Sequence, residues 1–416
     1  MSKHLTRVLS RPEFIALVAA LMALNALAID VMLPALPYMG EALGVDSPNE
    51  RQFVVSAYML GLGMAQLAFG PLSDRFGRRA PLLIGIAVYI VAALCAAFAP
   101  SFAILLALRF TQGAGAAGTR VIATSIVRDM FSGRAMAEVM SLTFMVFMAI
   151  PIVAPGIGQV ILLTGPWHHI FLFMAILATI FGLWAYFRLP ETLAPADRRP
   201  LTFRAVADGF RIVISNRTAF FYGLAGMFTF GALFGFISTA QQVYVGIYGL
   251  GPYFPVAFAA VAALMAVASF TNAQIVRRFG MRRLSHLAML VFIGASAVWL
   301  GLSIAGFMPL WLFFPFLAVV MFCFGWASSN MNSLSMEPLG AVAGTASSVF
   351  GFIQTVGGAL IGSFIGQQFN GTVVPVAAGY FSMGSLALIC ILIAENGRLF
   401  GVGKEYAGTP VAVEAH

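Results

Sequence analysis

Charge is what this 416-residue sequence has least of. Asp, Glu, Lys and Arg make up 9% of it, against about 25% in soluble domains, which excludes an ordinary soluble chain. Six stretches carry no charged residue at all: 52–73, 80–108, 139–187, 218–276, 284–336 and 338–394. One membrane-crossing helix needs about 20 apolar residues, so the four longest are pairs of helices, each pair joined by a short turn. The runs are continuous rather than alternating, which argues against a β-barrel. Cysteine is also scarce. Cys95, Cys323 and Cys390 fall inside apolar stretches at no metal-like spacing and read as small packed hydrophobes, not redox or zinc groups. No nucleotide-binding loop, metal cluster or catalytic triad is present. The sequence therefore predicts no enzyme and no cofactor, with an ion gradient, most simply of protons, as the energy source. No Ala-x-Ala-type site follows the first apolar stretch, so it reads as a span and not as a cleavable leader.

What is present is hydrophobic residue, 61% of the chain, arranged as twelve expected spans. The first six cover about 13–37, 52–72, 80–99, 102–127, 136–163 and 168–188; the second six cover about 218–246, 253–275, 284–305, 309–334, 342–368 and 373–395. The net charge of +8 could suggest nucleic acid, but its distribution excludes that partner. Of the 23 Lys and Arg, all but Arg51, Arg109 and Arg120 lie in 1–13, 74–79, 128–138, 188–217, 277–283 and 396–416. This is the positive-inside pattern. It predicts both termini in the cytoplasm and basic loops against anionic lipids. His168 and His169, beside Trp167, read as interface residues, with a proton sensor as the sharper alternative.

Residues 70–79, Gly70-Pro71-Leu72-Ser73-Asp74-Arg75-Phe76-Gly77-Arg78-Arg79, sit between two apolar runs. A weaker copy at 273–282 keeps an Arg-Phe-Gly core in the same register. A duplicated bundle with a special loop at matching places is transporter architecture. The expected division is an N-terminal six-helix half (1–188), a cytoplasmic linker (189–217), a C-terminal six-helix half (218–395) and a disordered tail (396–416). Inside the linker, Phe203, Val206, Phe210 and Val213 recur at helical spacing. They predict a short interfacial helix with Arg204 and Arg211 toward lipid head groups.

Residues 70–79 resemble the loop 2–3 signature of the major facilitator superfamily, matching at Gly70, Leu72, Asp74, Arg75, Gly77, Arg78 and Arg79. Arg109, Gln112, Gly113 and Gly115 resemble that superfamily's helix 4 motif. The end of that helix, Ser125 to Arg128-Asp129, resembles the drug-exporter branch named for bicyclomycin and chloramphenicol resistance (Bcr/CflA). So do Ala28-Ile29-Asp30 with Pro34 and Pro37, and Met336-Glu337-Pro338 with Gly340 and Ala343 to Ser348. The resemblance covers residues 14 to about 395. It implies an all-α integral membrane protein of twelve helices in two pseudo-symmetric halves, working as a monomer in a bacterial inner membrane.

The resemblance further implies that Asp74 latches the two halves through a facing helix N-terminus and an arginine. Helix 11, starting near Val342, is the expected facing helix, and Arg128 the candidate cation. Gly70 would permit close helix approach, while Arg75, Arg78 and Arg79 anchor at phosphates or carboxylates. A merely basic loop would explain the arginines but not Asp74, Gly70 or Gly77. The second copy has Arg277 in place of Asp74, so the halves should not gate symmetrically.

Asp30 is the one acid well inside a span. Burying an ionised carboxylate there is costly, which makes it a candidate proton carrier; a fixed partner for a buried arginine is the plainer reading. Arg109 lies near mid-depth of helix 4, and the resemblance implies a role in proton coupling opposite Asp30. Arg120, eleven residues on, shares its face and can snorkel toward the cytoplasm. Some exporters of the branch carry a second helix 1 acid where this chain has Met22. That departure disfavours dicationic drugs and suits neutral or zwitterionic substrates.

Pro151, Pro155, Gly156 and Gly158 in helix 5 resemble an exporter signature with two glycines replaced, and suggest a hinge. Gly358, Gly362 and Gly366 in helix 11 read as tight packing or a sliding gate. Tyr58, Gln66, Gln112, Gln241, Tyr244, Asn330 and Gln354 are candidates for a substrate cavity, each equally able to be interhelical glue. The 39 Phe and 21 Met offer a deformable apolar surface. The expected function is proton-coupled export of small drug-like molecules by alternating access. The rivals are an uptake symporter or facilitator for a sugar or organic acid, and a non-transporting membrane receptor.

Overall fold

The computed structural model describes residues 9–131, 133–195, 198 and 203–400, and among them every regular element is a helix. The first six are α1 (Arg11–Asp30), α2 (Phe53–Phe76), α3 (Arg79–Ala96), α4 (Phe102–Met130), α5 (Gly133–Thr164) and α6 (His168–Arg188). A short helix, α7 (Phe203–Ser215), leads into α8 (Arg217–Gln241), α9 (Phe254–Phe279), α10 (Met281–Ile304) and α11 (Leu310–Met336). Then come α12, in three stretches (Ala343–Phe352, Ile353–Gly357 and Gly358–Gln367), and α13 (Val374–Ala394). Residues 401–416, most of the expected tail, lie outside the described residues.

Among the described residues, 10 helices are long and apolar enough to cross a membrane, and Ala149–Thr164 within α5 is a shorter apolar segment. The twelfth crossing is α4. It has 29 residues, but Arg109, Thr111, Gln112, Thr119 and Arg120 dilute its apolar character. This is the expected twelve-helix bundle.

Local chemistry sets the helix ends. The side chains of Ser10, Ser101 and Asn216 accept from Glu13 N, Ile104 N and Ala219 N, capping α1, α4 and α8. The repeated Arg-Phe-Gly core now has a physical reason. Gly77 ends α2 with φ +91°, and Gly280 ends α9 with φ +80°. Only glycine takes that conformation without strain, so each copy turns the chain sharply into its next helix.

Two pairs of helices join the first six to the last six: α2 against α12, and α5 against α9. Within the first six, α4 packs on α2 and α3, and α1 on α5. Within the last six, α8 packs on α12 and α13, and α10 on α11 and α13. The helix α7 lies inside the stretch expected to be helical, and the described end of its apolar stripe, Phe210 and Val213, packs on protein. Val213 is fully buried with Ala219, Leu339, Ala346, Val349 and Phe350, and the Phe210 ring lies 5.8 Å from that of Phe352. Arg204 and Arg211 are exposed.

Candidate functional site

The interior of the first six helices is organised by Arg109. Its side chain is fully buried. Nε donates to the Val54 carbonyl (3.1 Å), Nη1 to Gln112 Oε1 (2.6 Å) and Nη2 to the Ala28 carbonyl (2.9 Å). The guanidinium carbon stands 4.5 Å from the Tyr58 ring centroid and 5.9 Å from that of Phe171. One cation therefore ties α1, α2, α4 and α6 together. Such close helix approach depends on glycine: a Cβ on Gly113 would strike the Tyr58 carbonyl, and one on Gly61 the Phe110 carbonyl.

Asp30 closes α1, just before the chain kinks through Leu33–Ala35. It is 5% exposed, and its carboxylate has no hydrogen bond or ion pair among the described residues. The expected pairing with Arg109 is absent from this arrangement: Arg109 reaches α1 through the backbone of Ala28, two residues earlier, and its donors are met by neutral acceptors. One turn below, Asn25 Nδ2 donates to Thr119 Oγ1 at 3.0 Å, a buried link between α1 and α4 that sequence reasoning missed. Arg120, next to that link, is half-buried.

The 70–79 loop is assembled differently from the expected latch. Asp74 pairs with Arg78, four residues on, and the same guanidinium reaches Asp129 Oδ2 (2.8 Å) and Ser73 Oγ (2.9 Å). Burial works against the charge on Arg78, but the hydrogen bonds to Asp129 and Asp74 outweigh it and hold the group above its ordinary value. Arg128 is exposed and makes no contact with Asp74. The cation at Asp74 is Arg78, and Asp129, the neighbour of Arg128, shares that guanidinium. Arg75 is exposed. Glu191, in the Pro190-Glu191-Thr192 turn after α6, completes the cluster and was also missed. Its carboxylate accepts from Arg78 N (2.8 Å) and Arg79 N (3.2 Å), an anion at the start of α3. A Cβ on Gly77 would collide with it. At the matching place after α13, Glu395 accepts from Arg282 Nε (2.8 Å) and Tyr222 Oη (2.8 Å). The usable signal was an acid just past the sixth helix of each half.

Across the α2–α12 seam, Gln66 Nε2 donates to Thr355 Oγ1 (3.3 Å), and a Cβ on Gly70 would only touch Ser348, at 3.4 Å. At the end of the seam away from the basic loops stands an uncharged cluster absent from the sequence reading. Asn49 Nδ2 donates to the carbonyls of Gln367 (3.0 Å) and Phe369 (2.9 Å), and Gln367 Nε2 donates back to the Asn49 carbonyl (2.6 Å). Gln52 Nε2 donates to Gln242 Oε1 (2.6 Å) and the Gly366 carbonyl (3.2 Å), and Gln242 Nε2 to Asn49 Oδ1 (3.0 Å).

The seven cavity candidates do not form one group. Tyr58 and Gln112 sit with Arg109, and Gln66 lies on the seam. Gln354 is half-buried at Gly226 of α8. Asn330 Nδ2 donates to Asn272 Oδ1 (2.8 Å), linking α11 to α9. Tyr244 is enclosed by the rings of Phe236, Phe254, Phe313 and Phe314, with centroids 5.8–6.1 Å away. Gln241 is half-buried. Of the hinge residues, Pro151 and Pro155 lie inside an uninterrupted α5. Gly158 packs on the Val31 carbonyl, and Gly156 only touches Pro255, at 3.9 Å. Gly358 and Gly362 pack against Phe230 and Phe234 of α8, the packing reading of that face. The irregularity in α12 is its π turn, Ile353–Gly357, just before them.

Residues 18–362 match the family model described as Major Facilitator Superfamily. A bicyclomycin resistance protein homolog of Haemophilus influenzae is 31% identical over 91% of this chain and 94% of its own. A chloramphenicol resistance protein of Pseudomonas aeruginosa is 28% identical over 90% of this chain and 89% of its own. Among solved structures, a D-xylose–proton symporter superposes with a TM-score of 0.69 at 13% identity, over 93% of this chain and 98% of that one, which speaks to the fold alone.

Proposed function

The chain belongs to the major facilitator superfamily, and on that premise we propose that it exports small drug-like molecules, chloramphenicol among them, in exchange for protons. It is a multi-pass membrane transporter and not an enzyme. The named relatives support a resistance pump. The observation that carries the coupling is Asp30, a buried carboxylate in a span with no partner among the described residues, two residues along α1 from a carbonyl held by an arginine that neutral acceptors already satisfy. A group in that position can take a proton without breaking a structural contact. The six-helix halves, 1–188 and 218–395, rock about the central space and expose Asp30 to each side in turn. The basic loops and both termini face the cytoplasm of a bacterial inner membrane, following the charge distribution. On this reading the Asp74, Arg78, Asp129 and Glu191 cluster governs the cytoplasmic end of the cycle, and Arg109 holds the helices that carry Asp30.

The test uses purified protein in liposomes with an imposed pH gradient. Wild type moves chloramphenicol against the proton flow. Asp30→Asn loses gradient-driven flux by more than about tenfold while eluting as a folded, monodisperse protein. Undiminished gradient-driven flux in that variant removes Asp30 from the mechanism. Substrate movement with the proton, rather than against it, replaces export by uptake.

A further inference from the structure

Arg120 is a charge in the interior of α4 that nothing described above employs. Eleven residues at about 100° each bring it within about 20° of the face of Arg109. That face looks inward, because Gly113, seven residues earlier on it, lies against Tyr58 and Leu62 of α2. Thr111, nine residues earlier and so on the opposite side, is exposed, as is Ile104. A guanidinium on an inward face of a span needs acceptors, and Arg109 has three. The Arg120 side chain has no hydrogen bond or ion pair among the described residues; only its backbone carbonyl is engaged, by Thr124 Oγ1 at 3.1 Å. It is half-buried, so it remains open to a ligand.

We propose that Arg120 recognises an acidic group on the transported molecule, and that the preferred cargo carries a carboxylate or similar oxyanion close to a basic group. The charges inside the first six helices are Asp30, Arg109 and Arg120, an excess of one positive charge when Asp30 is ionised. That excess disfavours a purely cationic cargo. The Asn25–Thr119 hydrogen bond sets the two helices in register. Asp30 lies five residues farther along α1, and Arg120 one residue the other way on the antiparallel α4. At 1.5 Å per residue they stand about 9 Å apart along the axis. Asp30 lies about 140° round α1 from Asn25, so the cargo's carboxylate is met by Arg120 in a charge-assisted hydrogen bond while a basic group close to it extends toward Asp30. The proposal rests on the exchange reading. The basic group competes with the proton for Asp30, which links the two opposite flows directly, whereas an anion alone would be drawn in together with the proton.

Two fluorescent probes that differ by a single carboxylate test this. Nε-dansyl-lysine has the amine and the carboxylate; dansylcadaverine is the same molecule without the carboxylate. Both are titrated against the full-length protein in lipid nanodiscs. Wild type should bind the lysine derivative about tenfold or more tightly over its decarboxylated partner. Arg120→Gln should abolish that preference, and Arg120→Lys should keep part of it, each in a protein that stays monodisperse. Equal affinity of the two probes for wild type, binding of neither, or an unchanged preference in Arg120→Gln overturns the proposal. Chloramphenicol has no carboxylate, so its flux is a separate readout. Wild-type flux with no carboxylate preference ends this proposal and leaves the export reading standing; the reverse result ends the export reading.

Discussion

An arginine buried in a membrane bundle must spend its donors on acceptors that do not move away, and Arg109 does so. Its partners on α1 and α2 are backbone carbonyls. Arg109→Lys should therefore be severe even though the charge is kept, because an ammonium cannot span three acceptors in the guanidinium's fork. Each lost bond to the charged group costs about 1.5–3 kcal/mol. The expected outcome is a clear drop in the detergent melting temperature; an unchanged melt would show that the clamp is not structural. The sequence placed Arg109 on an inward face correctly. It could not name the acceptors, since carbonyls of Val54 and Ala28 have no sequence signature. The pairing of Arg109 with Asp30 was what the family resemblance implied, and the carbonyls took its place. The 70–79 loop misled similarly. Arg128 was the expected partner of Asp74, but Arg78, four residues from Asp74 on the next turn, takes that place and also pairs with Asp129.

Ten spans are legible as length and apolar content alone; α4, diluted by Arg109, Gln112 and Arg120, and the shorter apolar part of α5 complete the twelve. Their intimacy is not. On the α3–α4 crossing, a Cβ on Gly115 would come 2.6 Å from the Gly85 carbonyl, and one on Gly85 would come 2.7 Å from that of Gly115. Gly115→Val should destabilise by about 1–3 kcal/mol through overpacking, measured as a lower melting temperature. Gly294→Val, where nothing lies within 4 Å, should leave it within error of wild type. Equal effects would mean the crossing is looser than described. The π turns at Gln242–Ile247 and Ile353–Gly357 had no warning in the sequence, because a π turn follows from packing against a neighbour rather than from any residue pattern.

At the scale of the whole molecule, the first six and last six helices meet along the α2–α12 and α5–α9 seams, and the proposed cycle requires parts of those seams to separate. Asn49 and Gln367 exchange hydrogen bonds across one end. A disulfide between Asn49→Cys and Gln367→Cys, in a chain with Cys95, Cys323 and Cys390 replaced, should stop transport reversibly. Oxidation abolishes flux and a reductant restores it; full flux in the oxidised protein would show that this corner does not part. The two ends of the bundle are built from different materials. Near the basic loops ion pairs lie within each set of six helices, Arg78 with Asp74 and Asp129 in the first and Arg282 with Glu395 in the second. At the other end the cluster is four amide side chains and the main chain, with nothing in it to titrate or to be screened by salt. The proposed topology puts this neutral joint toward the surroundings, whose acidity and salinity change, and the ionic joints toward the regulated cell interior. A change of medium would then alter the supply of protons to Asp30 without altering how firmly the outward-facing door closes.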